Sequence, residues 1–189
     1  GLRRELPARD YLARRQLTAQ TVTRFGLGFA PDTWDSLVRA MKALGYSEQE
    51  LFDGGLVRHG RSGGVYDTFR NRLMFPVIDV RGNVIGFSGR ILGDGEPKYM
   101  NSPETIVFSK SHNLFALNLA KKSKCGYIIL AEGNIDVASL HQAGFDSAVA
   151  SLGTSLTPEQ ARLLSRYTSE IVIAYDNDGA GQKASQRAI

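Results

Sequence analysis

The sequence predicts an α/β protein: an N-terminal mixed α+β subdomain, then a subdomain built on a parallel sheet flanked by helices. Three observations carry this. The first 55 residues show apolar spacing of i, i+3, i+4 in short segments. Two apolar runs flank the turn Arg81-Gly82-Asn83, the pattern of a β-hairpin. From Gly126 onward short buried-type strands alternate with helices across short links. Such alternation requires parallel strands joined by right-handed crossovers. The expected division is therefore 1–124 and 125–189.

In order along the chain, Ala8 to Arg15 and Thr18 to Phe25 read as helices, with Gly26 and Gly28 breaking the pattern. Pro31-Asp32 is expected to open a longer helix whose apolar face is Trp34, Leu37, Val38, Met41 and Leu44, ended by Gly45. Ser47 starts another short helix towards Phe52. The Gly-rich stretch from Gly54 to Tyr66 reads as a loop or a loose hairpin. Leu73 to Val80 and Val84 to Leu92 form the hairpin strands, and Pro76 is expected to place the first at an edge or a bulge. A loop runs through Pro103, and Leu114 to Lys122 reads as helix. The second subdomain reads as strand Tyr127–Ala131, helix Ile135–Ala143 stopped by Gly144, and strand Asp146–Ala150. Thr157-Pro158-Glu159-Gln160 then starts a helix with a capping box and Pro at the first position. Strand Glu170–Tyr175 and a helix from Ala180 close the pattern. Ile189 falls inside that helix without a stop signal, which suggests a truncated fragment.

Composition narrows the classes. The 189 residues are 42% hydrophobic and 22% charged, which is ordinary globular usage. No apolar run approaches ~18 residues, so no membrane-spanning helix is expected. Gly1 to Asp10 is polar and basic, unlike a signal peptide. One cysteine, Cys125, and three scattered histidines cannot make a disulfide framework or a zinc finger, and a reducing, cytoplasmic setting fits. The net charge of +4 is unevenly spread, with a basic block from residue 70 to 124 and an acidic segment after it.

The acidic segment is focused. Glu132 directly follows one strand and Asp176 another, with Asp178 two residues further on. In parallel sheets ligands bind at the carboxyl ends of the strands. If those strands are neighbours, Glu132, Asp176 and Asp178 converge on one crevice, and Asp136 could reach it from one helical turn along. Clustered carboxylates repel one another unless a cation lies among them. Hard oxygen ligands without His or Cys suit Mg²⁺ or Mn²⁺, which takes its remaining ligands from water and phosphates. That chemistry points to phosphoryl or nucleotidyl transfer. For Asp136 the competing reading is an acid favoured by the helix dipole. An EF-hand is excluded, because its fifth and twelfth positions here are Ala180 and Arg187.

Glu132-Gly133 with Asp176-x-Asp178 resembles the Toprim signature shared by primases, topoisomerases and related nucleases. The basic block narrows the likeness. Phe69-Arg70-Asn71-Arg72-Leu73-Met74-Phe75-Pro76, Val84 to Arg90, and Pro97-Lys98-Tyr99-Met100-Asn101-Ser102-Pro103-Glu104-Thr105 with Phe108 and Lys110 resemble the catalytic core of bacterial DnaG-type primases. The resemblance covers residues 8–189. It implies a Toprim subdomain at 125–189 and a nucleic-acid- and nucleotide-binding subdomain before it. It implies an enzyme, a DNA-directed RNA polymerase that synthesises RNA primers for DNA replication. Glu132, Asp176 and Asp178 would be catalytic and, with Asp136, would hold Mg²⁺ or Mn²⁺. Arg70, Arg72, Arg90, Lys98, Tyr99, Asn101 and Lys110 would bind nucleic acid or nucleotide.

The implied partners are a single-stranded DNA template, ribonucleoside triphosphates and the RNA primer. Members of that family also carry a zinc-binding module and a helicase-contacting domain, both absent from this sequence, so the replicative helicase would be met through a domain outside it. The implied location is the bacterial cytoplasm, at the nucleoid, with no membrane partner. For Arg70 and Arg72 a solvated strand face competes with phosphate contact, and for Tyr99 a core aromatic competes with a stacking face. The alternatives for the whole chain are another Toprim enzyme, nuclease or topoisomerase-like, and a non-catalytic single-stranded DNA-binding fragment.

Overall fold

A computed structural model describes residues 6–61, 63–153 and 155–176. The expected helix from Ala180 and the acid Asp178 lie outside the described residues. Among those residues no helix is long and apolar enough to cross a membrane.

Helices α1 (Leu6–Arg14) and α2 (Ala19–Arg24) open the fold. α1 ends in a Schellman motif: Leu17 donates its N–H to Leu12 O and Gln16 to Ala13 O. The left-handed position of that motif usually holds glycine. Here Gln16 occupies it at φ 55°, a strain of about 1–2 kcal/mol. Strand β1 (Gly28–Ala30) follows, then α3 (Ser36–Ala43) and α4 (Glu48–Asp53).

The helix expected from Pro31 starts five residues later, at Ser36. The cause is tertiary. The buried Asp67 carboxylate accepts the N–H groups of Leu37 and Val38, at 2.8 and 3.0 Å, and the Ser36 hydroxyl. That is a helix N-terminus capped by a residue about thirty positions downstream. Trp34 therefore stands outside the helix and is 65% exposed, instead of facing the core. Leu44, the C-cap, is exposed as well.

The stretch from Gly54 to Tyr66 is the hairpin β2 (Val57–His59) and β3 (Val65–Asp67). The main antiparallel sheet runs β1-β4-β5-β6, with β4 (Arg72–Ile78), β5 (Val84–Ile91) and β6 (Tyr99–Asn101). β4 is thus an interior strand. Pro76 is tolerated because β1 covers only Arg72 to Met74, and Phe87, opposite Pro76, donates its N–H to Ser102 Oγ instead. The register shift comes just after, between Val77 and Ile78. At Gly89 a Cβ would lie 2.8 Å from the Phe69 ring and 2.9 Å from Arg72 Cδ, so the Arg72 side chain crosses the sheet only because glycine is there.

The expected helix from Leu114 to Lys122 shrinks to α5 (Leu117–Ala120), because Ala116 is left-handed at φ 65°. Phe115 instead bridges antiparallel to Ala150. Then come β7 (Ile128–Ala131), α6 (Asn134–Gln142), β8 (Ala148–Ala150), α7 (Pro158–Leu164) and β9 (Ile171–Ala174). The parallel sheet has the order β8-β7-β9. β7 is buried along its whole length, as parallel strands covered on both faces are. Ile129 and Ala131 join one core with Phe75, Phe115 and Val137, while Ile128 and Leu130 join another with Val149 and Leu164. The first core also takes Tyr11, Leu12, Phe25 and Leu73, so one apolar cluster is continuous from α1 to β8. α7 shows the expected capping box, and its Gln160 amide also donates to Lys110 O and Asn113 O.

Candidate active site

The crevice forms where two parallel strands end side by side. β7 pairs with β9 so that Ala131 lies opposite Ala174. The chain then leaves β7 as Glu132 and β9 as Tyr175-Asp176. Asp176 donates its backbone N–H to Glu132 Oε2 at 3.3 Å, so these residues, 44 positions apart, are adjacent in space. α6 starts at once after Gly133 and brings Asp136 back by one turn. A Cβ at Gly133 would lie 2.9 Å from Asp136 Oδ2, so any other residue there would push that carboxylate aside. Burial, and then the charge of Asp176, hold the Asp136 carboxyl above its usual range. Among the described residues no three His, Cys, Asp or Glu side chains are close enough to cage an ion. The remaining acid of the expected centre, Asp178, is outside them.

The same crevice also carries cations, and Arg15 acts on the Asp136 carboxyl. Glu132, Asp136 and Asp176 line the same cavity of about 380 Å³ as Arg15, Arg90 and Lys98, with Tyr99 and Asn101 between. Arg90 is held by aromatic faces. Its guanidinium carbon is 4.3 Å from the Tyr11 ring centre and 5.8 Å from that of Tyr99. One amine donates to Ile91 O at 3.2 Å, while the buried Nε has no hydrogen-bond partner among the described residues. Burial pushes the Tyr99 hydroxyl up to about 12, with Arg90 pulling the other way. Asn101 donates from Nδ2 to Leu152 O at 3.0 Å.

Three of the expected binding residues stand elsewhere. Arg72 is 5% exposed, and its guanidinium donates to Gly89 O and Pro97 O. Both the solvated-face and the phosphate-contact readings of Arg72 give way to a buried clamp between strand and loop. Arg70 lies away from the cavity lining. It sits 4.1 Å from the Trp34 ring centre and 5.2 Å from that of Tyr66, and donates to Asp67 O at 2.6 Å. Lys110 is not in the lining either, and its backbone is tied to Glu104 and Gln160.

Tyr11 and Arg15 were not legible as site residues. Tyr11 lies in α1 and Arg15 directly after it, more than a hundred positions from Glu132, Asp136 and Asp176, and the contact of Tyr11 with Arg90 of β5 brings them in. Arg15 donates from Nε to the Tyr11 hydroxyl at 3.2 Å, a bond that raises the basicity of the guanidinium. Tyr175 is half-buried, packed against the second core, and pushed up by burial.

Residues 2–121 match the family model described as the N-terminal domain of the DNA primase catalytic core. The chain belongs to the DnaG-type DNA primase family. Residues 129–189 match a Toprim-like model, so the parallel sheet is a Toprim sheet. A DNA primase of Clostridium acetobutylicum is 52% identical over 181 residues, covering 95% of this chain and 30% of that protein. The chain therefore spans about a third of the length of the curated primases it matches. Among solved structures, the RNA polymerase domain of Mycobacterium tuberculosis primase DnaG matches with a TM-score of 0.92 at 38% identity, over 99% of this chain and 65% of that one. A DnaG primase catalytic domain bound to single-stranded DNA matches at 0.86 and 42% identity, over 99% and 62%.

Proposed function

We propose that this chain is the polymerising core of a primase, joining ribonucleotides on a single-stranded DNA template by divalent-metal-dependent nucleotidyl transfer. The observation that carries the reading is the adjacency of Glu132 and Asp176 in a cavity that Arg15, Arg90 and Lys98 also line. Membership of the primase family supports it.

The donor set fits a hard divalent cation. Glu132 and Asp176 offer carboxylate oxygens at adjoining strand ends, Asp136 adds a carboxylate that Arg15 only partly offsets, and Asp178 follows in sequence. These residues would hold Mg²⁺ or Mn²⁺, which when bound neutralises and polarises the reacting phosphate. The chain's own cations do the positioning. Arg90, pre-set between two rings, uses the N–H groups of its terminal amines to grip the phosphates that do not react. Lys98 adds a point charge. Asn101, whose Nδ2 is engaged, presents its amide oxygen to a sugar or base edge. Outside the crevice, the exposed Trp34 ring backed by Arg70 and Tyr66 offers the template a stacking face worth ~1–3 kcal/mol per base.

The RNA primer is the product, and contact with the replicative helicase belongs to parts of the protein outside this chain. The reaction takes place in the bacterial cytoplasm, at the nucleoid. A strand-passing Toprim enzyme needs a tyrosine nucleophile at the metal, and Tyr175, packed into the second core, does not offer one.

The test is ribonucleotide incorporation by the intact primase on a single-stranded template with Mg²⁺ or Mn²⁺. Asp176→Asn is expected to lower it by about 10³-fold, the equivalent of several kcal/mol of metal stabilisation. Full activity in that variant overturns the reading. DNA cleavage without ribonucleotide incorporation by the wild-type protein points to the nuclease alternative.

A further inference from the structure

We propose that Gln142, at the far end of α6 from the acids, is a positioning residue for the nucleotide: it fixes the strained turn that holds Arg15 at the crevice. The proposal rests on the functional reading above and names a residue that reading does not use.

α6 works as a strut. Its first turn carries Asp136, and its last residue is Gln142. The Gln142 amide grips the α1–α2 turn from both sides of Leu17. Nε2 donates to Gln16 O at 2.8 Å, and Oε1 accepts from Thr18 N and from Thr21 Oγ1, each at 2.8 Å. Two backbone groups of the turn and one hydroxyl of the first turn of α2 are thereby satisfied by one side chain. The turn needs such support. Gln16 is held left-handed at φ 55°, where residues with a Cβ are disfavoured, and such a conformation persists only where its surroundings over-determine it. Arg15 is the residue immediately before it. The Arg15 guanidinium reaches the cavity over Tyr11, to whose hydroxyl it donates and on whose ring Arg90 lies. Releasing the turn therefore disturbs Arg15 directly and Tyr11 and Arg90 through it. The neighbouring His141, edge-on to Phe25 and bonded to Ala148 O, keeps the end of α6 packed against α2, so loss of the Gln142 amide alone leaves the helices in contact.

The experiment measures the affinity of the intact primase for a fluorescent ribonucleoside triphosphate at fixed Mg²⁺, alongside KM and kcat for primer synthesis. Gln142→Ala is expected to weaken binding and raise KM by about fivefold, the size of one hydrogen bond from Arg15 to the nucleotide, while kcat stays within about twofold. Gln142→Glu keeps both accepting bonds and loses the donor to Gln16 O, so it is expected to weaken binding in the same direction. If Gln142→Ala does not fold, that variant carries the test. Adding Gln16→Gly to Gln142→Ala is expected to restore affinity, because glycine holds the left-handed turn without support. Wild-type affinity in both Gln142 variants, or no recovery in the double variant, overturns the proposal. Absence of triphosphate binding by the wild-type primase would instead bring down the functional reading, and this proposal with it.

Discussion

The two sides of the crevice are built in opposite ways. The cationic side is braced by the protein itself: Arg90 lies between Tyr11 and Tyr99, Arg15 is bonded to Tyr11, and Asn101 is anchored on Leu152 O. The acidic side is sparse. Glu132 and Asp176 are exposed and share one 3.3 Å bond from backbone to carboxylate, and Asp136 is held above its usual carboxylate range. Preorganised cations cost little reorganisation when phosphate enters. Unpaired acids close together are unfavourable until a cation joins them. On the function proposed above, this contrast implies a division of labour, with the N-terminal half positioning the nucleotide and the Toprim half relying on a metal ion.

The strongest attempt to break this division removes a carboxylate while keeping its shape. Glu132→Gln in the intact primase is expected to lower kcat for primer synthesis by about 10³-fold, with a smaller change in nucleotide affinity. A change confined to KM would place Glu132 with the positioning residues. The next effect comes from the other side. Arg90→Lys keeps the charge but loses the planar stack and the paired donors, and is expected to raise the KM for ribonucleotides by about tenfold, with kcat much less affected. Equal losses in kcat from both variants would end the distinction between the two sides.

The smallest expected effect concerns the joint between the halves. Burial holds the His141 ring below its usual pKa of 6.5, with Phe25 of α2 edge-on to it and Ala148 of β8 accepting from it. The charged groups acting on the ring from around it are Arg24 and Asp146. The folded chain then binds fewer protons than the unfolded one as the pH falls below 6.5. The stabilising contribution of the neutral ring is complete above that pH and is lost on acidification. Thermal midpoints are expected to fall more steeply from pH 7.5 to 5.5, values bracketing the histidine range of about 6.5, in the wild-type protein than in His141→Gln. Identical slopes would remove His141 from the account of the joint.

Much of the second half was legible because its signals are local. The alternation from Tyr127 to Ala174, the capping box at Thr157 and the glycine stop at Gly144 each depend on a few neighbouring residues, and the strand ends placed Glu132 and Asp176 together. The hairpin around Gly82 was legible for the same reason. What escaped was set at long range. α3 begins where Asp67 caps it, so Trp34, which helical spacing puts on the apolar face, is instead an exposed partner of Arg70. β1 and β6 are three-residue strands that exist by pairing with β4 and β5 and carry no periodicity of their own. Arg72 looks like any strand arginine until Gly89 opens the space that its side chain crosses. Tyr11 and Arg15 entered the site through the packing of α1, which no spacing in the sequence records.

The central claim is a divalent cation bound between strand ends that face a preformed cationic side. The most direct measurement is an anomalous difference map from Mn²⁺-soaked crystals of the intact primase catalytic core. A peak is expected at the carboxylates of Glu132 and Asp176, with Arg90 within reach of the phosphates when a ribonucleoside triphosphate is added. Manganese bound elsewhere, with those two carboxylates unliganded, would contradict it.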